Sequence, residues 1–200
     1  MLLSVLLLMA VAGEENPDLE LLRRAKNGDR EAFGELFRKY EKRVFRVARR
    51  MCRSDDEAWD ITQDAFLRAM QAMDRYDTRY RFFTWIYRIV TNLAINHSEK
   101  RKRRNEVIFE EDYGAEGHQT VDDMTSDIAQ REQLAAAVSS AVERLSPALR
   151  AVFVLRVDQE LSYSEIAESL HIAIGTVMSR LNRARQRIRE ELGSLLGEWE

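Results

Sequence analysis

Pro17 and Pro147 are the only prolines in 200 residues, and there are just eight glycines. Such a chain has few points at which a helix must stop. Its apolar residues recur at three- and four-residue spacing rather than alternating, which predicts an all-α fold. Over residues 19–51 the periodic set is Leu22, Ala25, Phe33, Leu36, Phe37, Tyr40, Val44, Val47 and Ala48. The "NGDREAF" stretch interrupts it and divides a short first helix from a long second one. A third helix is expected from about Asp56 to Met73 and a fourth from about Thr84 into the basic run that follows. These four make a first domain, residues 19–105.

Residues 106–127 show no sustained period and include Gly114 and Gly117, so they read as a flexible acidic linker. A second small domain, residues 128–195, opens with a helix over 128–145. It restarts at Ser146-Pro147, with serine at the N-cap and proline at the first helical position. Leu149, Val152 and Phe153 then share one face. The architecture expected is two small helical domains joined by that linker.

A net charge of -3 says little, but its distribution says more. Residues 38–53 hold eight basic side chains against the single acid Glu41, residues 100–104 are five basic residues in a row, and residues 180–189 hold five arginines. Residues 106–130 hold eight acids and no Lys or Arg. Blocks of this kind point to charged partners. One cysteine, Cys52, excludes an intramolecular disulfide, and His97, His118 and His171 have no metal-ligand spacing. An intracellular, cytoplasmic protein is expected. The apolar start, "MLLSVLLLMAVAGEEN", resembles the core of a signal peptide but lacks a basic residue ahead of it and is too short to span a bilayer, so residues 1–18 read as a disordered extension, with an export signal as the alternative.

The stretch "LSYSEIAESLHIAIGTVMSRLNRAR" carries two helical patterns joined by a corner at residues 171–173. Ser162 and Glu165 have capping-box spacing, and Ile166, Ala167 and Leu170 give the first helix a buried side. The second helix buries Val177, Leu181, Ala184 and Ile188, which turns Ser179, Asn182, Arg183 and Gln186 outward, with Met178, Arg180 and Arg187 at the flanks. Arginine and amide side chains on one face suit a DNA major groove. A solvated face is the alternative, and the short corner favours a DNA-binding helix-turn-helix.

"YDTRYRFFTWIYR", residues 76–88, packs six of the seventeen aromatics beside Arg79, Arg81 and Arg88. Rings next to cations fit single-stranded nucleic acid, which needs stacking faces and phosphate contacts. Phe82 and Trp85 divide evenly between core and strand contact. In the helix that follows, Ile86, Ile89, Val90 and Leu93 form the expected buried stripe, leaving Arg88, Thr91 and Asn92 outward. On the third helix Asp60, Gln63, Asp64 and Leu67 share a face that is either solvated or a docking surface for a basic partner. Catalysis is not expected: there is no Gly-rich phosphate loop and no nucleophile with an identifiable base. Asp55, Asp56, Asp60 and Asp64 read as a charged cap and face rather than a metal site.

Taken in order, "DITQDAFLRA", "FFTWIYRIVTNLAIN", and "LSYSEIAESL" with "IGTVMSRLNRARQRIREEL" resemble the extracytoplasmic-function (ECF) group of bacterial sigma factors, in the sigma-70 family. The resemblance covers residues 19–192. It implies a transcription initiation factor that binds RNA polymerase core at the beta-prime clamp through Asp60, Gln63, Asp64 and Leu67, and that touches the beta flap. It implies capture of melted minus-ten promoter DNA by Arg79, Tyr80, Arg81, Phe82, Phe83, Trp85, Arg88, Thr91 and Asn92. It assigns minus-thirty-five contacts to Thr176, Met178, Ser179, Arg180, Asn182, Arg183 and Arg187. An anti-sigma factor is the regulator it allows for; no cofactor, metal, small-molecule substrate or membrane insertion is implied. A stand-alone helix-turn-helix regulator is the alternative, but a duplex-only binder has no use for the aromatic cluster.

The chain departs from the family pattern in three places. His171 stands where glycine is usual, Met178 replaces a common lysine, and Asn96-His97 replaces a more usual acidic and apolar pair. The second and third bear on promoter specificity.

Overall fold

The computed structural model describes residues 16–107 and 126–196, so most of the expected N-terminal extension and acidic linker lie outside the described residues. Eight α-helices and one 3-10 turn make up the described fold: α1 (Leu19–Lys26), α2 (Arg30–Met51), α3 (Asp55–Gln71), the turn Met73–Arg75, α4 (Phe82–Val107), α5 (Ser126–Arg144), α6 (Pro147–Val157), α7 (Tyr163–Leu170) and α8 (Ile174–Leu196). Local chemistry sets the boundaries. Asp29 caps α2 by accepting from the N–H groups of Glu31 and Ala32, Ser54 caps α3 through Glu57, and Ser162 and Glu165 close a reciprocal capping box on α7. Gly28, at φ 91, turns the chain between α1 and α2 through a conformation other residues avoid.

In the N-terminal half α1, α3 and α4 all pack on α2. Leu22, Leu36, Val44, Val47, Phe66, Phe82, Ile86 and Val90 are buried between them. Each side chain of this size contributes about 1.5–3 kcal/mol when removed from water, and Leu36→Ala would cost about 2–5 kcal/mol. Asp18, buried ahead of α1, pairs with Lys39 and accepts from the Tyr40 hydroxyl, which fastens α1 to α2.

In the C-terminal half α5, α6 and α7 pack on α8, whose Val177, Leu181, Ala184 and Ile188 are all buried. Ala184 and Ile188 meet Ala141 and Val142 of α5, and Leu145 just after it, in a small cluster of their own. The rest of this half is continuous with the N-terminal core: Val152, Leu155, Leu161, Ile166, Val177 and Leu181 belong to one apolar cluster with the residues of α1–α4. The two halves therefore meet across a packed seam, α7 lying on α4 and α6 on α2.

Polar contacts cross that seam. The Tyr87 hydroxyl donates to Gln159 Oε1 at 2.8 Å, Arg43 Nε reaches the same oxygen at 3.4 Å, Arg50 pairs with Asp158 at 2.9 Å, and the Thr84 hydroxyl lies 3.2 Å from Glu168. The seam also changes what α4 buries. Ile89 and Leu93, expected in the buried stripe, are half-buried, whereas Thr84, Tyr87, Thr91 and Ala94 are buried. A helix packed on two sides buries a second stripe that apolar periodicity alone does not mark.

Candidate nucleic-acid interface

The segment entering α4 is held by its own polar groups. Asp77 accepts from the backbone N–H of Arg79 at 3.0 Å and pairs with the Arg79 guanidinium at 2.6 Å. The hydrogen bond from the Arg79 side chain is the largest cause holding the Asp77 carboxyl down at about 2. Tyr76 is buried, donates to the Tyr80 carbonyl at 2.6 Å, and its ring lies 4.7 Å from that of Trp85. Asp77 and Tyr76 were not among the sequence-derived site residues. An aspartate two residues ahead of a backbone donor is the readable signal for the first; nothing local distinguishes the second.

Around this scaffold Tyr80 is 50% exposed, Arg79 and Arg88 are exposed, and Arg81, Phe83 and Trp85 are half-buried, with the Arg81 guanidinium 5.9 Å from the Phe83 ring centroid. Asn92 is exposed. Two expected contact residues are placed elsewhere. Phe82 is fully buried against Tyr40, Tyr76 and Trp85. Thr91, expected outward, is fully buried and spends its hydroxyl on the Tyr87 carbonyl at 2.6 Å. Neither offers a surface to a strand in this arrangement. What remains is a set of accessible ring faces flanked by cations, able to stack bases and hold phosphates.

A second surface lies on α3. Ile61, Ala65, Phe66 and Ala69 are buried, which leaves Asp60, Gln63 and Leu67 exposed and Asp64 in an i,i+4 pair with Arg68 at 3.1 Å. Leu67 is 53% exposed, and Met70 at 47% and Trp59 at 39% widen the apolar part of this face. Trp59 stacks on Phe45 of α2 at 4.3 Å. Sequence reasoning passed over Met70, although its spacing from Gln63 and Leu67 marks it. Acids beside exposed apolar side chains give both steering and burial to a protein partner. Among the described residues no group of three or more His, Cys, Asp or Glu is placed to hold a metal ion.

The third surface is the outer side of α8. His171 takes the left-handed conformation, φ 54 and ψ 47, and so turns the chain from α7 into α8. Met178 is 48% exposed; Ser179, Asn182, Arg183 and Arg187 are exposed, while Thr176 and Arg180 are half-buried. The Ser179 hydroxyl donates to the Thr176 carbonyl at 3.1 Å. Arg180, Arg183, Gln186 and Arg187 line a groove facing Ser146, Ala148 and Leu149 at the start of α6. The result is a helix-turn-helix with a cationic outer face, the geometry in which a second helix enters a major groove.

Comparison with known proteins places both halves. Residues 36–104 match the model of sigma-70 region 2, and residues 135–188 match that of sigma-70 region 4. With relatives 34% identical over most of its length, the chain belongs to the ECF group of the sigma-70 family. Its region 2 match takes in both the aromatic-basic segment and the α3 face, and its region 4 match takes in the helix-turn-helix. The RNA polymerase sigma-H factor of Pseudomonas aeruginosa is 34% identical over 189 residues, covering 92% of this chain and 98% of that one. The ECF sigma factor SigW of Bacillus subtilis is 34% identical over 180 residues, covering 87% and 96%. The solved structure of CnrH in complex with the cytosolic domain of CnrY superposes with a TM-score of 0.64 at 25% identity, covering 88% of this chain and 97% of that one. The sigma factor RpoE of Bartonella quintana, solved with the anti-sigma factor NepR, has the same fold, with a TM-score of 0.60 at 24% identity over 80% of this chain and 96% of that one. A region 2 match is not what a stand-alone helix-turn-helix regulator would give. No helix among the described residues is long and apolar enough to cross a membrane.

Proposed function

We propose that this sigma factor directs RNA polymerase core to promoters with two separated elements and opens the DNA by trapping unpaired bases, without catalysis. Residues 19–105 form the unit that binds polymerase and the minus-ten element. Residues 128–195 form the unit that reads the minus-thirty-five element, and residues 106–127 join them. Asp60, Gln63, Asp64 and Leu67 dock on the polymerase clamp, joined by Met70. Tyr80, Phe83 and Trp85 stack bases, Arg79, Arg81 and Arg88 hold phosphates, and Asn92 contacts the strand, while Phe82 and Thr91 support the helix from beneath. Thr176, Met178, Ser179, Arg180, Asn182, Arg183 and Arg187 serve the minus-thirty-five duplex. The factor acts in the cytoplasm, and an anti-sigma protein regulates it.

The observation that carries this reading is the pairing, in one chain matched over nearly its whole length by sigma factors, of accessible rings beside cations on α4 with a cationic helix-turn-helix. A duplex reader alone has no use for stacking faces. Run-off transcription with purified core polymerase on a promoter library tests it. Promoter-specific transcripts above those of core alone are expected, and their absence would sink the proposal.

A further inference from the structure

The basic run of residues 38–53, all but Arg53 on α2, has no part in the function proposed above. Most of its eight cations are engaged. Lys39 pairs with Asp18, Arg49 with Asp55 and Arg50 with Asp158, Arg43 reaches Gln159, and Arg53 also has a partner. Arg38, Lys42 and Arg46 remain. All three are exposed, and among the described residues no carboxylate forms an ion pair with them.

Their spacing sets them in a row. At four-residue intervals they follow one line along the helix, turned away from the buried stripe of Leu36, Tyr40, Val44 and Val47. At 1.5 Å per residue the row is about 12 Å long. Over that length one strand of duplex DNA presents about three or four phosphates, at about 3.4 Å of axis each. Three like charges in a row repel one another and gain nothing from the fold, so an anionic partner would relieve them.

The surroundings distinguish nucleic acid from protein as that partner. A protein interface is built on an apolar centre, around which arginine is common and lysine is not. The α3 face has that apolar centre, in Leu67 and Met70, whereas α2 exposes no large apolar side chain. Cations without an apolar centre suit a phosphate backbone, which contributes charge and no buried area. We infer that Arg38, Lys42 and Arg46 form a third DNA contact, a phosphate-binding ridge on α2 that grips the backbone without regard to sequence.

The test uses the full chain and DNA of random sequence, so that it stands apart from promoter recognition. Fluorescence anisotropy would follow binding to labelled single-stranded and duplex DNA between 50 and 200 mM salt. It would compare the parent chain, the triple variant Arg38→Ala/Lys42→Ala/Arg46→Ala, and a control, Arg23→Ala/Arg30→Ala/Arg75→Ala, that removes three other exposed cations. Circular dichroism would show that each variant keeps its helices. For the ridge variant the slope of log affinity on log salt should flatten by about 2 on single strands and about 2.7 on duplex, and affinity at low salt should fall by about tenfold or more. The control should move much less, because its three cations are scattered over α1, the start of α2 and the 3-10 turn rather than set in one row. Flattening on only one kind of DNA supports the ridge and identifies its strand. An unchanged slope, an equal loss in the control, or no salt-dependent binding by the parent chain overturns the inference. So does a loss of affinity for core polymerase with DNA binding intact, which would make the ridge a protein contact. Run-off transcription by the parent chain reports on the sigma-factor reading separately.

Discussion

The hydroxyl of Tyr87 donates a 2.8 Å hydrogen bond to Oε1 of Gln159 and so ties α4 to the loop after α6, across the seam between the halves. Both side chains are buried, and Gln159 Nε2 has no protein partner. Removing Gln159 strands the Tyr87 hydroxyl, and removing that hydroxyl leaves Gln159 Oε1 with only the 3.4 Å contact from Arg43. Tyr87→Phe or Gln159→Leu alone should lower stability by about 1–3 kcal/mol, whereas the double variant, which removes both polar groups, should lose less than the sum. Urea unfolding of the four chains measures the coupling. Simple additivity would show that the bond contributes nothing to closure.

The two proposed recognition surfaces should separate by mutation. Leu67→Ala should weaken binding to core polymerase by more than about 1 kcal/mol and leave duplex binding unchanged. Arg183→Ala should weaken minus-thirty-five binding by about 1–3 kcal/mol with core affinity intact. Equal loss of both affinities in either variant would mean that the residue supports the fold rather than a contact.

Alkaline pH should loosen the protein. Burial pushes the Cys52 thiol up to about 11 and the Tyr87 phenol up to about 12, each above its ordinary value. The folded state therefore favours the neutral forms. Their contribution is whole below pH 9 and is lost as pH rises through 11 and 12. The urea midpoint should fall across that window, less steeply in Cys52→Ala. At pH 8 a thiol reagent should react with Cys52 only as the chain unfolds; reaction at the rate of a free thiol would contradict the burial.

His171 holds a left-handed backbone at a cost that glycine would not incur. His171→Gly should raise the stability of the C-terminal half by about 0.5–1 kcal/mol, and His171→Val should lower it by more. Thermal unfolding reads both. A destabilised glycine variant would show that the imidazole makes a contact that outweighs the strain.

Much of this was legible in the residues. The α8 stripe, the capping box and the corner at residues 171–173 are local, each specified within a few positions, and the structure has them where spacing puts them. What spacing could not show is the seam. Thr84 and Tyr87 look like the outer side of an amphipathic helix until Glu168 of α7 and Gln159 after α6 meet them, and Thr91 is polar enough to pass for a surface residue. Its hydroxyl is satisfied within its own helix, which is how a threonine enters a core. Phe82 differs, since rings and arginines in one stretch show that some aromatics are buried without showing which. Tertiary packing alone made that choice.

The pairing of Asp77 with Arg79 also bears on the proposed contact between the aromatic segment and DNA. On that reading, a strand approaching Arg79 would find a carboxylate already in the place its phosphate takes. Asp77 would act as a placeholder: a stray anion would have to outcompete a tethered rival, whereas a strand that brings several phosphates and bases together would displace it. Selectivity for melted promoter over free nucleotides would then begin with an internal competitor, before any base is read.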